Sequence, residues 1–288
     1  MEFVLEVRPP KGERFYVPLP ASGTLTVGRE APADLVIQDQ FLSRSHFQVV
    51  CENMIHILID PGSSNGTYLN GVRLRQAVLK PRDAIFAGRT AIRIGAAMEG
   101  KILLDTLPES PGELLPWQSK LIDTIESTCN LAVLDGAVSP AVRDLLNQAG
   151  VFYQSLYEGE RSADIAAFGP YLAEIQKGSK FVPFLVKAAW GRSWGIFLST
   201  RLSFLEARKH LRRFLTVNIE GGGMVLFRYY DPRVLRVFIP SCTLEQRRDF
   251  FGPIERIFAE SDTKTVAFSF SADAETRLQF EIDPPAGS

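Results

Sequence analysis

The sequence predicts two folded parts, an all-β sandwich or barrel over the first hundred residues and an α+β domain after it. Three observations lead there. Residues 1–97 are filled by short segments of alternating polarity with turn residues between them and almost no helical periodicity. A cluster of Pro108, Pro111, Gly112 and Pro116 then breaks the pattern. Beyond it, amphipathic helical stretches alternate with strand-like runs. A chain of 288 residues accommodates two domains of ordinary size. The expected division is 1–97, a linker at 98–112, and 113–288.

Strands are expected at 3–8, 14–17, 25–27, 35–37, 47–51, 55–59, 67–69 and 91–94. In the second part Trp117, Leu121, Ile125 and Cys129 recur every fourth residue and define one face of a helix. Residues 131–134 read as a buried strand. Pro140 suits the first turn of a helix over 141–148, with Gly150 as its stop. A strand at 171–175 and an apolar stretch at 181–198 follow. Phe204, Ala207, Leu211 and Phe214 then form the apolar stripe of a helix over 203–214. Residues 225–230 and 235–239 look like two strands. Thr243-Leu244-Glu245-Gln246 is a capping box that opens a helix limited by Pro253. Segments 266–271 and 277–282 are expected to pair as a terminal hairpin.

Charge and composition narrow the function classes. The 32 basic and 33 acidic residues leave a formal charge of -1, which argues against coating nucleic acid or docking on a membrane through a polybasic face. Any anion site must therefore be local. No apolar run approaches the roughly 20 residues of a membrane span, and Met1 to Glu6 lacks the pattern of a signal peptide, so a soluble cytoplasmic protein is expected. Cys51, Cys129 and Cys242 are widely separated and not in CxxC spacing, which supports neither a disulfide framework nor a zinc ribbon. No cofactor or metal is expected.

Four short motifs carry the chemistry of the first part: Gly28-Arg29, Ser43-Arg44-Ser45-His46, Ser63-Ser64-Asn65-Gly66-Thr67 and Asn70-Gly71. A phosphate dianion is held best by a planar guanidinium, by hydroxyl groups and by N–H donors, because charge-assisted bonds are short and directional. In this order the motifs resemble the forkhead-associated family over residues 3–97. The resemblance implies a β-sandwich whose loops at one end read phosphothreonine. It implies that Arg29 supplies the guanidinium fork, Ser43 a hydroxyl, Arg44 a second positive group or its amide, and Ser64 a further donor. Asn65 would grip the peptide backbone. Gly28, Gly66 and Gly71 are expected to serve turns with positive φ, and Asn70-Gly71 reads as a hairpin turn. His46 shares no cluster with His56 or His210, and the resemblance gives it a bracing role rather than a catalytic or metal-binding one.

Seven separated segments of the second part begin at Leu131, Ser155, Gly169, Trp194, Leu211, Phe227 and Phe250, the sixth reading Phe227-Arg228-Tyr229-Tyr230-Asp231-Pro232-Arg233. Over residues 115–270 they are similar, in order, to an uncharacterised-domain family associated with type VI secretion adaptors. This resemblance implies a protein that binds a toxic effector and loads it onto the VgrG spike. Arg208, Lys209, Arg212 and Arg213 would form a basic stripe on one helix, either solvated or a dock for an acidic partner. Trp190 and Trp194 are core by default and interface anchors otherwise. Arg228, Asp231 and Arg233 would form either an internal ion-pair network or part of a binding surface.

An enzyme is not expected. Asp135, Glu158, Asp164, Glu174 and Asp231 form no pair whose spacing fixes both on one face, His210 stands alone, and no phosphate-binding loop or dinucleotide fingerprint is present. The remaining alternatives are a phosphothreonine-dependent signalling scaffold without a secretion role and an enzyme with an unrecognised C-terminal site.

Overall fold

The structure, a computed structural model, describes residues 2–98, 101–104, 106–158, 168–218 and 222–280. It divides into two compact units, the first built on Met1–Thr106 with Leu146–Gln154, the second on Leu107–Leu145, Ser155–Tyr157 and most of the remaining chain. The expected linker residues 99, 100 and 105 lie outside the described residues.

The first unit is a β-sandwich. Its strands are β1 (Glu2–Arg8), β2 (Phe15–Pro18), β3 (Gly23–Gly28), β4 (Leu35–Val36), β5 (Phe47–Glu52), β6 (Ile55–Ile59), β7 (Thr67–Leu69), β8 (Val72–Leu74), β9 (Gln76–Val78), β10 (Ala84–Ala87), β11 (Thr90–Met98) and β12 (Lys101–Leu103). One sheet runs β2-β1-β11-β10-β7-β8, with β12 added on β11; the other runs β4-β3-β5-β6-β9. Alternation does the sorting. In β5, Phe47, Val49 and Cys51 are buried while Gln48 and Val50 lie nearer the surface. Leu5, Val7 and Ile92 of the first sheet meet Val27, Phe47, Val49 and Leu58 of the second in one apolar core. Four strands, β8, β9, β10 and β12, go beyond the sequence expectation; three of them have only three residues, too few to show a period.

The chain after the sandwich is α+β. After α1 (Pro116–Thr128) come β13 (Leu131–Asp135), α2 (Ala141–Ala149), β14 (Tyr153–Ser155), β15 (Pro170–Glu174), α3 (Phe181–Ala189), β16 (Gly195–Thr200) and α4 (Phe204–Arg212). The chain continues through β17 (Thr216–Asn218), β18 (Met224–Leu226), α5 (Pro232–Ser241), α6 (Leu244–Phe251), β19 (Ile254–Glu260), β20 (Val266–Phe270) and β21 (Glu275–Gln279). The main sheet runs β14-β15-β13-β16-β19-β20-β21, and β17 and β18 form a separate ribbon. Every residue of β13 is buried because helices cover both faces. Leu131, Val133, Ile196 and Leu198 pack with Leu211, Leu235 and Phe251. On the opposite face Leu134 and Phe197 lie against Leu185, Val186 and Ala189 of α3. No helix among the described residues is long and apolar enough to cross a membrane.

Two sequence expectations are corrected here. Residues 235–239 are the middle of α5, not a strand. Asp231 caps that helix by accepting the Arg233 N–H at 3.0 Å, and Pro232 fills its first position. Leu235 and Ile239, one turn apart, are buried whereas Val237 is 73% exposed; in a strand all three would share a face. The strand expected at 225–230 stops at Leu226, and Tyr229 and Tyr230 sit in the turn leading to Asp231. The apolar stretch 181–198 divides into α3 and β16, two elements with different periods. The terminal hairpin forms as β20 and β21; residues 281 and 282 of its expected second strand lie outside the described residues.

Candidate functional site

At one end of the sandwich the loops following β3, preceding β5 and joining β6 to β7 are tied to one another. Gly28 is the pivot: a Cβ there would sit 1.8 Å from the Arg44 carbonyl oxygen, so the close approach of two backbones demands glycine. This corrects the expectation of a positive φ at Gly28. Gly66 and Gly71 do have one, both at φ 79°. Beyond Gly28, the Arg29 N–H donates to the Ser43 carbonyl at 3.1 Å and the His46 N–H to the Val27 carbonyl at 2.8 Å.

Fully buried His46 joins two of these loops. Its Nδ1 accepts the Ser43 N–H at 2.9 Å, which places the proton on Nε2, where it donates to the Gly66 carbonyl at 3.2 Å. Burial holds its pKa below the ordinary histidine value, against the raising influence of the Gly66 carbonyl and of Asp60 and Asp39. Ser43 Oγ accepts the Ser64 N–H at 3.1 Å, and Asn65 Nδ2 donates to the Phe41 carbonyl at 2.7 Å. The neighbouring turn is set by Asn70, whose φ is 51° and whose side chain donates to Asp83 at 2.8 Å and accepts the Ala84 N–H at 3.0 Å.

Two buried aspartates that the sequence reading did not single out hold the loops from beneath. Asp60 accepts from the Gly62, Ser63 and Thr67 N–H groups at 2.9, 2.6 and 2.9 Å and from Ser63 Oγ at 2.6 Å. Burial pushes its carboxyl up, but these donors outweigh that and leave it below the usual carboxylate range. Asp39 accepts from Phe41 N–H, Arg89 N–H and Thr90 Oγ1 at 3.0, 2.7 and 3.0 Å. The run Asp60-Pro61-Gly62-Ser63 carries an Asx-turn signal that would have found the first; Asp39 has no comparable local mark.

These ties bring Arg29, Ser43, Arg44, Ser64 and Asn65 around one open cleft of about 590 Å³, with Ala31, Pro32, Phe41 and Leu42 as its apolar wall. The cleft offers two guanidinium groups, hydroxyls and an amide, a donor set suited to a doubly charged tetrahedral anion on an extended peptide.

The second unit treats its candidates differently. Trp190 and Trp194 are buried, and the Trp190 indole donates to the Lys264 carbonyl at 2.7 Å while its ring lies 6.3 Å from that of Phe197. They are core, not surface anchors. The turn between them is held by Glu260, which accepts the Gly191 and Ser193 N–H groups at 2.5 and 2.6 Å; burial nonetheless pushes its carboxyl up. The basic stripe is split. Arg208 donates to the carbonyls of Ser155 and Tyr157 at 2.9 and 3.3 Å, and Arg212 to that of Leu156 at 2.9 Å, so both serve as braces for segment 155–157. Lys209 is exposed, and exposed Arg213 pairs with Asp249 at 3.2 Å. Arg228 pairs with fully buried Asp135 and lies 3.9 Å from Asp231, which pairs with Arg233 at 2.7 Å. These residues form an ion-pair network at the end of β13, with the two carboxylates buried and both guanidinium groups reaching the surface.

His210 is buried with Nε2 2.9 Å from the Phe250 carbonyl oxygen, and burial pushes the Cys129 thiol up to about 12. Asp164 lies outside the described residues. Among the described residues no three His, Cys, Asp or Glu side chains gather as a metal site.

The first unit is thus a β-sandwich that gathers its donor groups on loops at one end. Residues 25–88 match the family model of the FHA domain, the forkhead-associated domain, and residues 131–249 match that of DUF4123, a domain of unknown function. The chain carries an FHA domain followed by a DUF4123 domain. The glycogen accumulation regulator GarA of Mycolicibacterium smegmatis is 33% identical over 86 residues, covering 30% of this chain and 52% of that protein. GarA of Mycobacterium tuberculosis is 31% identical over 86 residues, 30% of this chain and 51% of its own. The chain thus spans about half the length of the curated relatives it matches. Among solved structures, the FHA domain of CT664 from Chlamydia trachomatis has 26% identity and a TM-score of 0.31, covering 33% of this chain and 96% of that one. Mycobacterium tuberculosis EmbR, in complex with a low affinity phosphopeptide, has 22% identity and a TM-score of 0.30, covering 37% of this chain and 26% of its own.

Proposed function

We propose that this protein is a cytoplasmic two-domain adaptor that works by binding, not catalysis. Its FHA domain reads a phosphothreonine partner, and its DUF4123 domain holds a toxic effector of a type VI secretion system and helps load it onto the VgrG spike. The observation that carries the first half is the convergence of Arg29, Ser43, Arg44, Ser64 and Asn65 on one cleft. The second half rests on the ordered seven-segment resemblance, in agreement with the DUF4123 match over residues 131–249.

Titration of the full chain with a degenerate phosphothreonine peptide pool tests the reader. The wild type should prefer the phosphorylated pool. Arg29→Ala should lose a charge-assisted contact of about 1.5–3 kcal/mol, roughly a tenfold to hundredfold loss of affinity. No preference in the wild type, or undiminished binding by the variant, would remove this function. Co-purification separates the adaptor from a signalling scaffold: recovery of a toxin or spike protein supports the adaptor, and recovery of signalling partners alone supports the scaffold.

A further inference from the structure

Arg29 and Arg44, the two cations of the cleft, already share an anion. Glu30 follows Arg29 directly, and one of its oxygens, Oε1, lies 3.6 Å from Arg29 Nε and 4.0 Å from Arg44 Nε. Neither separation is that of a hydrogen bond, so charge rather than directional bonding holds the carboxylate there. The Glu30 side chain is half exposed and Arg44 more so, which leaves all three free to rearrange. The convergence of two guanidinium groups on a single oxygen shows where the field of this cleft draws negative charge.

From this juxtaposition we infer that Glu30 is a built-in competitor for the ligand's phosphate, an intramolecular carboxylate that occupies the two arginines until a more highly charged group replaces it. The inference rests on the reading of the cleft as a phosphothreonine site. An exposed carboxylate pair is held weakly. A phosphate monoester carries close to two charges and three strong acceptor oxygens, so it displaces Glu30 where an unphosphorylated side chain does not. Once the phosphate is seated, Glu30 remains beside it on the chain and repels it. Displacement and repulsion act in the same direction, and both weaken as salt screens charge over about 8–10 Å. Glu30 thereby raises the binding free energy that a phosphorylated ligand must supply before it can hold both arginines. A carboxylate whose role was to aim Arg29 at the ligand would have the opposite effect on affinity.

The sign decides. Full-length wild type, Glu30→Gln and Arg29→Ala are titrated with the degenerate phosphothreonine peptide pool and with the same pool unphosphorylated, at low and at high ionic strength. Glu30→Gln should bind the phosphorylated pool about three- to tenfold more tightly than wild type at low salt. The gap should narrow at high salt with no change in melting temperature, and Arg29→Ala should lose binding at both. Equal or weaker binding by Glu30→Gln, with the wild type still preferring phosphorylated peptide, overturns the role of Glu30 and leaves the phosphothreonine reading intact. Failure of both wild type and Glu30→Gln to prefer the phosphorylated pool overturns the two together. Binding by Glu30→Gln alone supports a competitor strong enough to close the site.

Discussion

His46 lies outside the lining of the cleft yet ties together two of the loops that form it. It makes its two bonds as a neutral ring, one accepting from the Ser43 N–H and one donating to the Gly66 carbonyl. Its pKa in the fold is lowered, with burial the chief cause. The unfolded chain therefore binds a proton at the ordinary value of about 6.5 while the folded one still refuses it. Between those two values the unfolded state carries more protons, so stability is complete above about pH 6.5 and declines as pH falls toward the folded pKa. Protonation also removes the acceptor for the Ser43 N–H and loosens the loop that presents Ser43 and Arg44. Stability and peptide affinity should thus fall together on mild acidification, read by melting temperature and by titration of the full chain. His46→Ala should cost about 1–3 kcal/mol, because it strands a buried N–H and a buried carbonyl. Lost affinity with an unchanged melting curve would mean direct phosphate contact instead.

At the scale of elements, the network around Asp231 links a helix start to a strand end. Asp231 caps α5, pairs with Arg233 and lies beside the Arg228 side chain that is bonded to Asp135 at the end of β13. Burial pushes the Asp231 carboxyl up, but the Arg233 and Arg228 contacts outweigh it and leave it below the usual carboxylate range. Asp231→Ala should cost about 2–4 kcal/mol, combining a lost cap with a disrupted, partly buried charge network. Asp231→Asn should recover part of this, since an amide still caps. Denaturant midpoints of the two variants check the order. This helix also marks a limit of what the sequence discloses. Leu235, Val237 and Ile239 alternate as in a strand, and only Asp231-Pro232, a capping signal as well as a turn signal, distinguishes the helix. The cleft-lining residues are plain in the sequence because their chemistry lies in short motifs fixed to turns. Trp190 and Trp194 are not, because tryptophan is enriched in cores and at hot spots alike, and burial depends on the distant Lys264 and Glu260. Arg208 and Arg212 look like a solvated stripe until the carbonyls of 155–157 come beside them. Asp39 and Asp60 resemble ordinary loop acids in the sequence; their role depends on N–H groups contributed by other parts of the chain.

For the whole molecule, the two domains make separable demands. Under the proposed function, reading a phosphorylated partner would depend on a handful of side chains on three loops, whereas holding cargo would use a broad surface of the DUF4123 domain. That surface excludes the buried tryptophans and, within the basic stripe, reduces to Lys209 and Arg213. Exposed cations of this kind mainly speed encounter with an acidic partner, and their effect fades at high salt. Under the adaptor reading, deleting the gene should abolish secretion of one effector while the apparatus assembles and fires with its other cargo. Loss of every cargo would make the protein a structural or regulatory component, and loss of none would end the adaptor reading. Complementing the deletion with Arg29→Ala then separates the domains, because this exposed side chain can be truncated without disturbing either core. If effector capture belongs to the DUF4123 domain, co-purification with the effector should survive the substitution while binding to phosphothreonine peptides is lost. The secretion assay shows whether phosphate reading controls delivery: secretion reduced at unchanged capture places the FHA domain upstream as a signal receiver. Loss of effector capture itself would instead make the cleft of Arg29 part of the cargo site and overturn the division of labour proposed for the two domains.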